Sequence, residues 1–204
     1  AGARSVTGGK LRRAALAALL ALGLAAGATA QEAGSGDPSA ASPAPAALPV
    51  SQIGAQSEAL AAQLEEIKAH RPTQELEQLE TELLELQASV ASAAERVETL
   101  LAGPATPVQV EAQAAAWEVL DGQFAALQGE VRDQADGLAR VLAEIADQTE
   151  LWKRTRTEAR GAQAPAAVLR TVEEGLAALA AAKKQVDEDL TSSLKLLDRV
   201  LAAR

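Results

Sequence analysis

The feature that most constrains the fold is a heptad repeat of apolar residues that recurs in three long segments. Within the range 73–101, apolar side chains are spaced alternately three and four residues apart, at Leu76, Leu79, Leu83, Leu86, Val90, Ala93, Val97 and Leu100. This spacing places one apolar stripe along a helix, and the two-residue alternation of a half-buried strand is absent from the sequence. The sequence therefore predicts an all-α fold of long antiparallel coiled-coil helices, or a slim elongated helical bundle.

Two further segments repeat the pattern. In the range 107–160 the seam is Trp117, Leu120, Phe124, Leu127, Val131, Gln134, Leu138, Val141, Ile145, Gln148 and Trp152. In the range 165–204 it is Leu169, Val172, Leu176, Leu179, Lys183, Val186, Leu190, Ser193, Leu197 and Val200. The residues that we expect to carry helix packing are Leu76, Leu79, Leu83, Leu86, Trp117, Phe124, Leu127, Ile145, Trp152, Leu176, Leu190 and Leu197. Polar residues at seam positions are expected to fix register or helix number.

Proline, alone or together with glycine, interrupts the chain at only three places after residue 50, and these places predict where the helices end: Arg71-Pro72, Gly103 to Pro107 and Gly161 to Pro165. The expected helices span about 54–70, 73–101, 107–160 and 165–204, and the last is still in heptad register at Arg204. At the start of the third helix Thr106 can cap, Pro107 suits the first helical position and Gln109 can complete a capping box. Because a helix that stops in mid-pattern lacks an end signal, we expect the natural protein to continue beyond 204.

The first thirty residues predict a secretory signal peptide. All their charged residues are basic, the range 14–26 is uninterrupted and apolar, and Ala28-Thr29-Ala30 forms a small-residue cleavage site. The apolar run is shorter than the ~20 residues of a membrane-spanning helix, which disfavours the alternative of an uncleaved anchor. The range 31–50 is rich in Pro, Ala, Gly and Ser and predicts a disordered linker. We therefore expect the helical region 51–204 to be exported from the cytoplasm.

Composition and charge exclude several classes of function. Residues 1–30 hold four of the 19 basic residues and none of the 28 acidic ones, so the remaining chain has a net charge of −13. Such a surface repels nucleic-acid phosphates. The chain has no cysteine and one histidine, His70, which we expect to cap a helix end. We predict no catalytic residue, no cofactor, no metal and no small-molecule substrate.

Two kinds of charged cluster are candidate sites. Carboxylates such as Glu65-Glu66 and Asp187-Glu188-Asp189 fall mainly outside the heptad seams, so we expect them on solvated helix faces. A basic cluster beside Trp152 consists of Lys153, Arg154, Arg156 and Arg160. It indicates either contact with a headgroup or partner, or cations that complement the negative C-terminal end of the third helix, and we favour the second interpretation.

One stretch resembles a known family. The pattern W-x-x-T…A…AP…L is formed by Trp152, Thr155, Ala159, Ala164-Pro165, Leu169, Val172, Leu176, Leu179 and Val186. It is similar to the exported N-terminal region of large members of the bacterial small-conductance mechanosensitive (MscS-like) ion channel family. The resemblance covers about residues 31–204, and no pore motif has a matching position.

The resemblance implies a periplasmic helical extension of a tension-gated channel, tethered to the inner membrane through a downstream segment that holds the pore. The expected partners are then other copies of the chain or the downstream membrane domain of the same protein. The alternative is a free-standing periplasmic coiled-coil adaptor, spacer or chaperone-like protein, which would bind through helix packing. An exported hydrolase is disfavoured, since no nucleophile and base are arranged for it.

Overall fold

The computed structural model describes residues 47–204, and within this part of the chain the all-helical prediction is confirmed. A short 3₁₀ turn over Val50–Gln52 leads into α1, Ile53–Ala69, which is followed by α2, Thr73–Leu101. The two longest helices are α3, Pro107–Gly161, and α4, Ala166–Ala203. Each bound lies within one residue of the predicted one. The predicted signal peptide and most of the predicted linker lie outside the described residues.

The ends of the helices follow local chemistry. At the start of α3 the N–H of Thr106 donates to Oε1 of Gln109 over 2.9 Å, and the N–H of Gln109 donates to Oγ1 of Thr106 over 3.4 Å. These reciprocal bonds are the expected capping box. Between α3 and α4 the chain reverses through Gln163, whose φ of 53° lies in the left-handed region. The N–H of Ala164 then donates to the carbonyl of Ala159, which closes the end of α3.

The described residues fall into two compact units, and all four helices contribute to them. Unit 1 comprises residues 47–66 and 146–180, and unit 2 comprises residues 67–145 and 181–204. The largest cluster of buried side chains belongs to unit 2 and draws on α2, α3 and α4. Its members are Leu79, Leu83, Leu86, Ala93, Leu120, Phe124, Leu127, Val131, Leu196 and Val200. The buried side chains of unit 1 are Ile53, Leu60, Leu64, Trp152, Thr155, Ala159, Val172 and Leu179.

The helices are amphipathic rather than apolar on all sides. Over residues 47–204 none of them offers a stretch that is both long and apolar enough to span a bilayer. Their buried side chains are mostly apolar and recur at helical spacing, whereas most charged side chains are exposed. Burial of these apolar side chains against one another is therefore the main stabilising contribution in each unit.

Candidate helix-packing site

The seam predicted on α2 packs as expected. Leu79, Leu83 and Leu86 are buried in the core of unit 2, and Leu83 has no exposed surface. Leu76 is half-buried and packs against the same core. A three-four spacing keeps these side chains on one face of α2. This part of the seam is therefore a continuous contact surface.

The seam predicted on α3 is buried in part: six of its residues are buried, and Gln134, Leu138, Val141 and Gln148 are half-buried. Phe124 and Leu127 lie in the core of unit 2, and Ile145 and Trp152 are each no more than 3% exposed. Trp117 is different, since 36% of it is exposed. The sequence had placed Trp117 in the packing seam, and the structure places it on the surface.

The seam predicted on α4 requires a correction. The seam consists of two rows with one residue every seven positions. The row that begins at Val172 is buried as expected, but Leu176, Leu190 and Leu197 of the other row are only half-buried. Lys183, from the same row, lies exposed and pairs with Asp187. The buried row lies one residue earlier in the chain and consists of Gly175, Ala182, Asp189 and Leu196. Gly175 of this row has no side chain, and the ring of Trp152 packs directly against it.

In unit 1 the closest approach is between Trp152 and Gly175. A Cβ atom built on Gly175 would lie 3.0 and 3.1 Å from two carbon atoms of the Trp152 ring, which is tighter than ordinary van der Waals contact. Only 1% of Trp152 is exposed, so the ring is enclosed on all sides. Glycine at 175 therefore provides the space that the buried ring of Trp152 occupies.

Thr155 joins the start of the described chain to α3. The N–H of Leu48 donates to Oγ1 of Thr155 over 3.0 Å, and that hydroxyl donates to the carbonyl of Leu151 over 2.9 Å. Thr155 has no exposed surface, so both bonds satisfy a polar group inside unit 1. Residues 47–50, which the sequence assigned to the linker, thus contribute a specific contact.

In unit 2 a buried carboxylate is held by a distant cation. Asp189 is 7% exposed, and its two oxygens accept hydrogen bonds from Arg71 over 2.6 and 3.0 Å. The hydrogen bonds and charge of Asp189 raise the pKa of Arg71 above its ordinary value. This bidentate pair places Arg71, in the break between α1 and α2, against α4. The heptad pattern alone gave no sign of this pair, because Asp189 lies one position before the predicted seam residue Leu190.

The basic cluster beside Trp152 is largely paired with carboxylates of unit 1. Arg156 and Arg160 both bind Glu173, over 3.4 and 2.8 Å. Lys153 binds Glu150 over 2.7 Å, and the hydrogen bond from this lysine lowers the pKa of the Glu150 carboxyl. The charges are therefore used within the unit, which favours a structural role over contact with a lipid headgroup.

Two exposed ion pairs connect α4 with the other helices of unit 2. Arg199 binds Glu80 of α2 over 2.9 Å, and Arg204 binds Asp121 of α3 over 2.7 Å. The hydrogen bond from Arg204 lowers the pKa of the Asp121 carboxyl below its ordinary value. Exposed pairs contribute little energy individually, but they identify which positions of the helices face one another.

An open concavity lies between α2 and α3 of unit 2. It is an open groove of about 450 Å³ lined by Ala88, Ser89, Ser92, Arg96, Ala116, Val119 and Leu120. Its only titratable lining residue is Arg96, so an acid and a base are not brought together there. Among residues 47–204 no three His, Cys, Asp or Glu side chains are grouped so that they could hold a metal ion. His70 lies exposed just after the end of α1.

The surfaces that the structure assembles are thus helix-packing surfaces. Trp152, Thr155 and Ala159, which begin the W-x-x-T…A pattern of the sequence, are all buried in unit 1. The structure gives them contacts of packing and hydrogen bonding. Comparison of the chain with protein-family profiles, with curated proteins and with solved structures found no match.

Proposed function

We propose that this chain is a non-enzymatic, exported helical region that extends an MscS-like mechanosensitive channel on the periplasmic side, with the pore C-terminal to residue 204. Its task is mechanical: packed helices form a support that stands beside the membrane and associates with other copies or with the downstream membrane domain. The single observation that carries this proposal is that the distinctive residues of the resemblance, Trp152, Thr155 and Ala159, are the best-buried packing residues of α3 in unit 1.

The proposal includes an antiparallel coiled coil in unit 2. A side-chain amide of Gln113 donates to the carbonyl of Ala93, which supports a hairpin of α2 and α3. From the pair Arg71–Asp189 to the pair Glu80–Arg199 the residue number increases in both partners, which supports α4 running parallel to α2. In this arrangement α3 runs opposite to both neighbours, as three helices joined by short turns would.

Cross-linking tests this arrangement, because the chain has no native cysteine. The variant Glu80→Cys with Arg199→Cys is expected to react with a short bis-maleimide linker. The control pairs Arg199→Cys with Glu98→Cys, a site about 27 Å further along α2 at 1.5 Å per residue. Equal cross-linking of both variants, or preference for the control, would contradict the proposed helix directions.

The coding sequence downstream of Arg204 tests the channel proposal most directly. Several apolar stretches of ~20 residues would support a membrane domain. A stop codon close to Arg204 would instead support the alternative, a free-standing periplasmic adaptor or spacer. The open groove between α2 and α3 favours that alternative as a place where a further helix could bind.

A functional test then uses the complete gene in a bacterial host without its own mechanosensitive channels. We expect it to raise survival after a sudden drop in osmolarity, since opening a tension-gated pore releases solutes. Leu83→Asp places a charge in the core of unit 2 and should weaken this rescue. Leu84→Asp changes a neighbouring side chain that is 57% exposed and should not. Absence of any rescue by the unmodified gene, with the protein present in the membrane, would refute the channel function.

A further inference from the structure

The turn between α2 and α3 carries no charged side chain. Glu98 and Glu111 bracket it, and no position from Thr99 to Val110 carries a charge. Every residue from 101 to 110 is exposed. No charged side chain of this exposed turn therefore opposes its contact with an apolar medium. We name this segment, residues 99–110, the hairpin tip.

The hairpin tip also exposes large apolar side chains on both of its helices. Leu101 at the end of α2 is 79% exposed, and Val108 and Val110 at the start of α3 are 73% and 55% exposed. Other exposed apolar residues, such as Leu84 and Leu194, have charged neighbours in the sequence. The hairpin tip therefore combines apolar side chains with the absence of any charge that would hold it in water.

The backbone of the hairpin tip satisfies most of its own hydrogen-bond donors. Pro104 and Pro107 have no N–H, and the N–H groups of 102, 103, 106, 109 and 110 donate within the turn. Unsatisfied backbone donors make entry of a loop into an apolar medium costly. A turn with few free donors avoids most of that cost.

We propose that the hairpin tip is a lipid-contacting element that enters the headgroup region of an electrically neutral bilayer. The tip is a convex end, so it suits a fluid surface better than a preformed partner pocket. The carboxylates of Glu98 and Glu111 at its base disfavour anionic lipids and restrict it to shallow insertion. The inference goes beyond the proposed channel function, since it requires only a membrane within reach of the chain.

A fluorescent label tests whether the tip meets lipid. Ala105→Cys, in a chain without native cysteine, carries a dye whose emission reports the polarity around it. Vesicles of phosphatidylcholine are expected to shift its emission to the blue. The same dye at Ser192→Cys, an exposed position on α4, is expected to be unchanged. Because the two proteins differ only in label position, any lipid affinity of residues 1–30 affects both equally.

Vesicle sedimentation measures the contribution of the apolar side chains. The double variant Leu101→Gln, Val108→Gln is expected to lower the partition coefficient about tenfold or more, since each exposed side chain loses its burial in lipid. The matched control, Leu84→Gln with Leu194→Gln, removes comparable exposed side chains elsewhere and should leave partitioning unchanged. Phosphatidylglycerol vesicles should bind more weakly than phosphatidylcholine vesicles.

Three results would overturn the proposal. The first is no blue shift at Ala105→Cys in any vesicle, and the second is an equal loss of partitioning in the tip variant and its control. The third is a blue shift that appears without vesicles and grows with protein concentration, which would mean that the tip packs against a second copy. Each result leaves the channel proposal intact, since that proposal depends on the downstream sequence and the osmotic rescue.

Discussion

The contact between Gly175 and Trp152 yields the sharpest prediction about stability. Gly175→Ala adds one methyl group to a helix at a position where the new Cβ would meet ring carbons at 3.0 and 3.1 Å. The same substitution at Gly129 of α3 meets nothing within 4 Å. Both positions are interior to long helices, so the two variants differ mainly in whether the added methyl group has space.

The magnitudes come from two opposing effects. Replacing glycine by alanine inside a helix stabilises it by about 1 kcal/mol, through backbone entropy. Overfilling a packed site costs about 1–3 kcal/mol, and the buried Trp152 ring has little freedom to move away. We therefore expect Gly129→Ala to raise the free energy of unfolding by about 1 kcal/mol, and Gly175→Ala to leave it unchanged or lower it by up to about 2 kcal/mol.

Urea unfolding followed by circular dichroism at 222 nm gives both values. A double-mutant cycle with Trp152→Phe isolates the contact, because the three nearest ring atoms belong to the part of the indole that phenylalanine lacks. In the Trp152→Phe background, Gly175→Ala should become stabilising, as Gly129→Ala is. A gain at Gly175→Ala equal to that at Gly129→Ala in the unmodified protein, with no coupling to Trp152, would refute the steric argument.

Three further predictions concern polar contacts. Arg71→Gln leaves Asp189 buried without its cation and should destabilise by about 1–3 kcal/mol in urea titrations, whereas adding Asp189→Leu should restore most of the loss. Since Arg204 lowers the pKa of Asp121 in the folded state, their ion pair adds to the free energy of unfolding above about pH 4, and this contribution is lost as the pH falls through the folded-state pKa. In an acid titration followed by circular dichroism, Asp121→Asn should therefore reduce the loss of stability over this pH range. Thr155→Val should cost about 1 kcal/mol and speed amide exchange at the start of the described chain; unchanged exchange there would contradict the bond.

Much of the helical architecture could be predicted because it depends on local signals. The turn at Gly103 and Pro104 and the capping pair Thr106 and Gln109 act over a few residues. The heptad spacing of leucines on α2 likewise needs no knowledge of its partner. For that reason the helix bounds follow from the sequence to within one residue.

The orientation of α4 could not be predicted, because it is decided by residues far away in the chain. Leucines at 176, 190 and 197 outweigh Gly175 and Asp189 in any ranking by hydrophobicity. The structure buries Gly175 because Trp152 needs the space, and it buries Asp189 because Arg71, 118 residues distant, neutralises it.

The same two contacts explain how a repetitive seam specifies one register. Leucine and alanine stripes look nearly alike after a shift of one heptad, about 10 Å along a helix, so apolar burial alone discriminates weakly between registers. A shift of α4 by one heptad would replace Asp189 opposite Arg71 with Ala182 or Leu196, and the bidentate pair would be lost. The same shift would bring a residue with a Cβ against Trp152 in place of Gly175. In each unit, therefore, the residue that departs from the apolar pattern is the one that distinguishes the correct register from its neighbours.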